Sequence, residues 1–171
     1  MLASSRASAR KEYEMRISNG FAGQVAMTTT YYITASAYMH QNLFQRTETA
    51  DLLLSTLFRY RDACEFLLHE FVIMPNPVHL LLSVEEGCAV GRAMQLVKGV
   101  FSHSIRQSGL KLKTVWQPSY YEHRVCDAVE YGRIRTCIHE NPVPGPWSRR
   151  LRNTRIPQLT QFIVWTKYPR G

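Results

Sequence analysis

The sequence predicts an α+β protein: a ferredoxin-like split βαβ antiparallel sheet with helices on one face, plus a C-terminal helix. Three observations carry this. Apolar residues alternate with period two in short runs and recur at helical spacing in longer ones. The runs follow the order strand, helix, strand, strand, helix, strand, helix. Right-handed crossovers then leave one simple way to build the sheet. A length of 171 residues fits one domain with tails, and 45% apolar with 20% charged residues is ordinary globular composition.

The first strand is YYITASAYMH, from Tyr31. Tyr32, Thr34, Ser36 and Tyr38 fall on one face, and Ile33, Ala35 and Ala37 on the other. Thr47 offers an N-cap before a helix with Leu53, Leu54, Leu57 and Phe58 at helical spacing. FLLHEFVIM reads as a buried strand. Pro75-Asn76-Pro77-Val78 breaks it, and HLLLSV resumes as its hairpin partner. Glu85-Glu86-Gly87 is a turn. A second helix over 88–107 carries Val90, Met94, Val97 and Phe101, and ends at Ser108-Gly109. KTVWQ reads as the fourth strand, and YYEHRV is extended. Asp127 caps a third helix that runs to Glu140, where Asn141-Pro142 stops it.

The two ends read differently. Residues 1–29 show no sustained periodicity and are expected to be a disordered or over-extended N-terminus; the Ser/Arg-rich, acid-free start also fits a transit peptide. Residues 144–171 are expected to be a basic irregular tail. Arg149, Arg150, Arg152 and Arg155 form its dense cluster, either solvated or in contact with DNA. QLTQFIVWTKY, within that tail, suits a last strand or a short helix.

Lys and Arg number 21 against 13 Asp and Glu, a net charge of +8, which favours a polyanionic partner. No apolar run reaches the ~18 residues of a spanning helix. The four cysteines, Cys64, Cys88, Cys126 and Cys137, form no C-x-x-C pair, so a zinc ribbon is not supported. Nothing resembles a secretory h-region, and the expectation is reduced thiols in the cytoplasm.

Four segments occur in an informative order: HEFVIMPNPVHLLLSV, AMQLVKGVFSHSI, VWQPSYYEHRV and EYGRIRTCIHENPV. Together they resemble the REP-associated tyrosine transposases, which are IS200-like, single-tyrosine enzymes of the HUH class. The resemblance covers about residues 31–143 and makes residues 30–143 a transposase-like domain. It implies a ferredoxin-like sheet, single-stranded hairpin DNA as partner, and metal-dependent nicking and joining in DNA transposition. A tyrosine oxygen attacks the backbone phosphate and leaves a 5′-phosphotyrosine. Two histidines at i and i+2 on a strand share one divalent ion, Mg or Mn, because such residues face the same way. A homodimer is also implied.

This chain departs from that pattern at two positions. Where the family has H-x-H, it has Pro77, Val78 and His79. Proline has no side-chain lone pair, so His79 is the remaining imidazole. Where the family places its nucleophilic tyrosine, one residue before I-H-x-N-P, stands Cys137. A cysteine is several ångströms shorter than a phenol, and a thiolate is a soft partner for phosphate. Asn141, four residues on and roughly 40° around the helix, matches the family's ligand position. Tyr131 is about 120° away and points elsewhere on a rigid helix. The expectation is a transposase homologue with cleavage lost or crippled. A domesticated, non-catalytic hairpin-binding protein and a decaying remnant are the alternatives.

Other residues carry two readings each. Trp116 and Gln117 either pack or contact a base. Tyr120 and Tyr121 are core or DNA-stacking residues. Lys98 and Arg92 reach phosphates or form a solvated face. His139 is a C-terminal cation favoured by the helix dipole. His103 and His123 are assigned no role.

Overall fold

The computed structural model describes residues 28–63, 65–140, 147–150 and 162–167. Chain order runs β1 (Thr28–Ala35), α1 (Thr47–Asp62), β2 (Leu67–Ile73), β3 (Val78–Glu85), α2 (Val90–Gln107), β4 (Tyr121–Arg124), α3 (Ala128–His139), β5 (Trp147–Arg150) and β6 (Phe162–Lys167). The sheet order is β4-β1-β3-β2-β6-β5. Each neighbouring pair among the first four strands is antiparallel, so β1 and β2 run the same way on either side of β3, the split βαβ arrangement expected from the pattern.

Strand alternation divides the sheet into two faces. Ile33, Ala35, Phe71, Ile73, Val78, Leu80, Leu82 and Val84 join the main core. Against them pack Ala50, Leu53, Leu54 and Leu57 of α1 and Val90, Ala93, Met94, Val97, Phe101 and Ile105 of α2. The opposite face carries a second, small cluster of Val72, Leu81 and Ile138, and here α3 lies. So α1 and α2 share one face while the C-terminal helix covers part of the other.

Local chemistry sets the helix ends. The Asp127 side chain accepts a hydrogen bond from Glu130 N at 2.7 Å, as its N-cap position predicts. Glu130 in turn accepts from Cys126 N at 2.8 Å. Gly109, with φ of 81°, follows the end of α2, the left-handed position where glycine carries no steric penalty. Thr47, in contrast, is the first helical residue and not the cap. Arg46 holds that place, and the Thr49 hydroxyl bonds the Arg46 carbonyl at 2.9 Å.

KTVWQ does not form the fourth strand. Trp116 makes only an isolated bridge to Ala37, and the strand proper is Tyr121–Arg124. The main core claims the Val115 and Trp116 side chains, so that run serves packing before pairing. Just beyond β1, Met39 and His40 both have φ of 53°. Flanking bonds hold that turn: Ala37 N to Asn76 Oδ1 at 2.8 Å and Tyr38 N to Val115 O at 2.9 Å.

The stretch expected as a basic irregular tail contains two strands. β6 runs parallel to β2, with Phe71 opposite Phe162, and β5 pairs antiparallel with β6. QLTQFIVWTKY therefore holds a strand, not a helix, and Arg149 and Arg150 belong to β5. Cys64, Arg152, Arg155 and the expected N-terminal extension before Thr28 lie outside the described residues. Among the described residues, no helix is long and apolar enough to cross a membrane.

Candidate functional site

The register places three side chains side by side. Thr34 of β1 is opposite His79 of β3 on one flank and Tyr121 of β4 on the other. Tyr32, two residues before Thr34, projects to the same face. The His79 Nδ1 lies 2.8 Å from Tyr32 Oη and 2.9 Å from Thr34 Oγ1. The Tyr32 and His79 rings are nearly parallel, with centroids 5.7 Å apart, and Tyr121 meets Tyr32 edge-on at 6.5 Å.

Burial sets the protonation of this group. It lowers the His79 pKa below the usual 6.5, which keeps the imidazole neutral at pH 7. It also raises the Tyr32 phenol, although a hydrogen bond from Thr34 pulls the other way. The nearby Cys137 and Tyr121 oppose ionisation of Tyr32 further. Tyr32 thus bonds His79 on the face that α3 covers, where it packs against the cluster holding Ile138. Cys137 itself is exposed and free.

A buried carboxylate fixes α3 over this face. The Leu68–Glu70 bulge in β2 turns both His69 and Glu70 toward the helix. His69 Nε2 bonds Ser83 Oγ at 2.7 Å, and its ring meets Tyr131 edge-on. Glu70 is 1% exposed and accepts from Arg135 Nε at 2.7 Å. His139 Nε2 comes within 3.2 Å of the other carboxylate oxygen, close enough for charge but not aligned as a hydrogen bond. His139 therefore stands beside that carboxylate at the end of the helix. Arg135 is held above its usual pKa chiefly by the bond to Glu70. Tyr131, like Tyr32, packs against the small cluster, and burial raises its phenol.

The other candidate residues do not converge. Trp116 is 7% exposed and packs on Phe101 and Phe44 at 5.2 and 5.4 Å between centroids, which places its ring in the core. Gln117 anchors the backbone: its N–H donates to Ser36 O, and its carbonyl accepts from Lys98 Nζ, both at 2.9 Å. Lys98 also lies 5.5 Å from the Tyr120 ring, and desolvation lowers its pKa. Tyr120, pushed up to about 12 by burial and Glu122, packs toward α2 and the main core. Tyr121 points the opposite way and is 58% exposed. Arg92 is exposed on α2 and lies 3.8 Å from Glu65. Lys98, Arg92 and Tyr120 therefore lie with α2, while Tyr121 meets Tyr32 beside His79. His123 pairs with Glu130 at 2.6 Å.

The described residues do not fit a divalent ion. Pro77 offers no donor, Asn141 lies outside the described residues, and His79 has one ring nitrogen engaged by hydroxyls. Among the described residues no three of His, Cys, Asp and Glu group closely enough to hold a metal ion. Tyr32 and Thr34 were missed as site residues. Their signal was the alternation that set them on the polar face of the first strand, but only the register places His79 beside them.

The family model for IS200-like transposases matches residues 25–141. The chain is 23% identical over 146 residues to a REP-associated tyrosine transposase of Escherichia coli K12, covering 81% of this chain and 86% of that one. Its fold resembles a REP-associated tyrosine transposase solved bound to a REP hairpin, with TM-score 0.58, 19% identity, and 71% and 72% of the two chains covered. It also resembles a Deinococcus radiodurans R1 protein assigned as a transposase, with TM-score 0.54, 20% identity, and 70% and 96% covered. Matched along most of its length and on the residues that build both faces of the sheet, this chain belongs to the IS200-like transposase family.

Proposed function

We propose that this chain binds single-stranded DNA folded into a hairpin, and that nicking by the family's tyrosine route is impaired. The observation that carries this reading is Cys137, an exposed thiol where the family's attacking phenol is expected. Pro77, in place of the other metal-binding histidine, supports it. The relative solved with a REP hairpin supports the choice of DNA partner.

The chain's own residues supply binding. A net charge of +8 gives sequence-independent affinity for phosphates, steeply weakened by salt. Tyr121, largely exposed beside Tyr32, offers a face on which an unpaired base stacks. Cys137, His79 and Asn141 mark where the scissile phosphate lies in this reading. Cys137 is too short to take the phenol's place. A homodimer completes the reading, and light scattering during size exclusion tests it.

The main test uses a fluorescent hairpin oligonucleotide with Mg²⁺ or Mn²⁺ on a denaturing gel. The expected result is salt-sensitive binding with no covalent protein–DNA band. A covalent band from the unaltered chain contradicts the impairment. Changing Pro77→His and Cys137→Tyr together is expected to restore some adduct. A folded, DNA-binding double variant with no adduct shows that these positions are misassigned.

A further inference from the structure

We propose that His79 is a phosphate-binding N–H donor rather than a metal ligand, held in that role by the Tyr32 and Thr34 hydroxyls. This rests on the reading of the chain as a DNA-binding protein and assigns the chemistry of the same site.

A neutral imidazole carries one proton on two nitrogens, and the bond at one nitrogen decides the state of the other. Both hydroxyls meet the same atom, Nδ1, at 2.8 and 2.9 Å. A phenol is the stronger donor of the two, and a ring nitrogen with a free lone pair is its natural acceptor. Tyr32 Oη therefore donates to Nδ1, and the ring proton sits on Nε2. A protonated Nε2 has no lone pair for a cation, but it donates a hydrogen bond to an anionic oxygen.

Two further observations agree. The nearly parallel rings hold the imidazole plane against rotation about its bonds. No described cluster of ligands competes for a cation here. The ligand class is a phosphodiester, and its backbone oxygen is the acceptor. Tyr32 is a positioning residue: it acts through His79 by fixing the tautomer.

The experiment has two arms on the full chain. In the first, long-range proton–nitrogen correlation on histidine-labelled protein reads the His79 tautomer. The expected result is a protonated Nε2 and a bare Nδ1, shifted toward a tautomer mixture by Tyr32→Phe. A protonated Nδ1 in the unaltered chain overturns the proposal. In the second, anisotropy of the hairpin oligonucleotide is expected to give the same Kd, within about twofold, in EDTA and in Mn²⁺. His79→Ala is expected to weaken binding about tenfold, the scale of one hydrogen bond to a charged group. His79→Gln keeps an N–H donor and is expected to recover most of that loss. Tightening by Mn²⁺, or binding that His79→Ala leaves unchanged, overturns the phosphate donor alone. Failure to bind any hairpin overturns the functional reading, and the phosphate donor with it.

Discussion

Replacing Glu70 tests how the last helix is held. Its carboxylate is 1% exposed, and the partner Arg135 is 45% exposed. In Glu70→Ala the arginine recovers water, so the cost is close to the loss of one charge-assisted hydrogen bond, toward the low end of ~1.5–3 kcal/mol. That loss falls on α3, which otherwise docks through Val72, Leu81 and Ile138. A loss of about 1.4 kcal/mol is tenfold in an equilibrium constant. Backbone amides of residues 128–139 are therefore expected to exchange with deuterium about tenfold faster, as local opening becomes easier. Peptides from α1 and α2 are expected to keep their protection. Mass spectrometry of peptic fragments reads both in one experiment. Equal acceleration across the whole chain, or none in α3, refutes the view that this carboxylate is a local latch.

Other outcomes follow from single features. Trp116→Ala removes a buried ring between Phe44 and Phe101 and is expected to cost ~3–5 kcal/mol in urea unfolding; stability unchanged with DNA affinity lost would reverse its assignment to the core. Met39→Gly relieves a left-handed φ of 53° and is expected to raise stability by about 1 kcal/mol, read as a shift of the urea midpoint. His69 and His79 have pKa values lowered by burial, so the unfolded chain binds more protons below about 6.5; stability measured across pH 5–8 is expected to fall as pH drops through that value. Glu130 has a lowered pKa, chiefly from the Cys126 N–H and then from His123. Its contribution is complete above the unfolded value near 4.5 and is lost as pH falls through the folded one, so the first turn of α3 is expected to fray in acid by NMR.

Much of this was readable in the chain. The alternation in YYITASAY assigned Ile33, Ala35 and Ala37 to one face and Tyr32 and Thr34 to the other, because a strand has only two sides. Asp127 announced its helix because a short carboxylate satisfies an orphan N–H. The failures have physical causes. KTVWQ has strand composition, but an aromatic with a deep pocket packs before it pairs. Tyr120 and Tyr121 looked like one aromatic pair, yet neighbours on a strand point apart. Glu70 and Arg135 are 65 positions apart, and no local pattern links them. The Tyr32 contact to His79 needs a register that spans 47 positions.

The unequal weight of the two sheet faces bears on how this lineage ages. One side is welded by a large interior, and substitutions there endanger the domain. The other is closed by a slender seam, and residue 137 stands outside even that. Chemistry written on the lighter side is free to erode letter by letter while the scaffold stays whole.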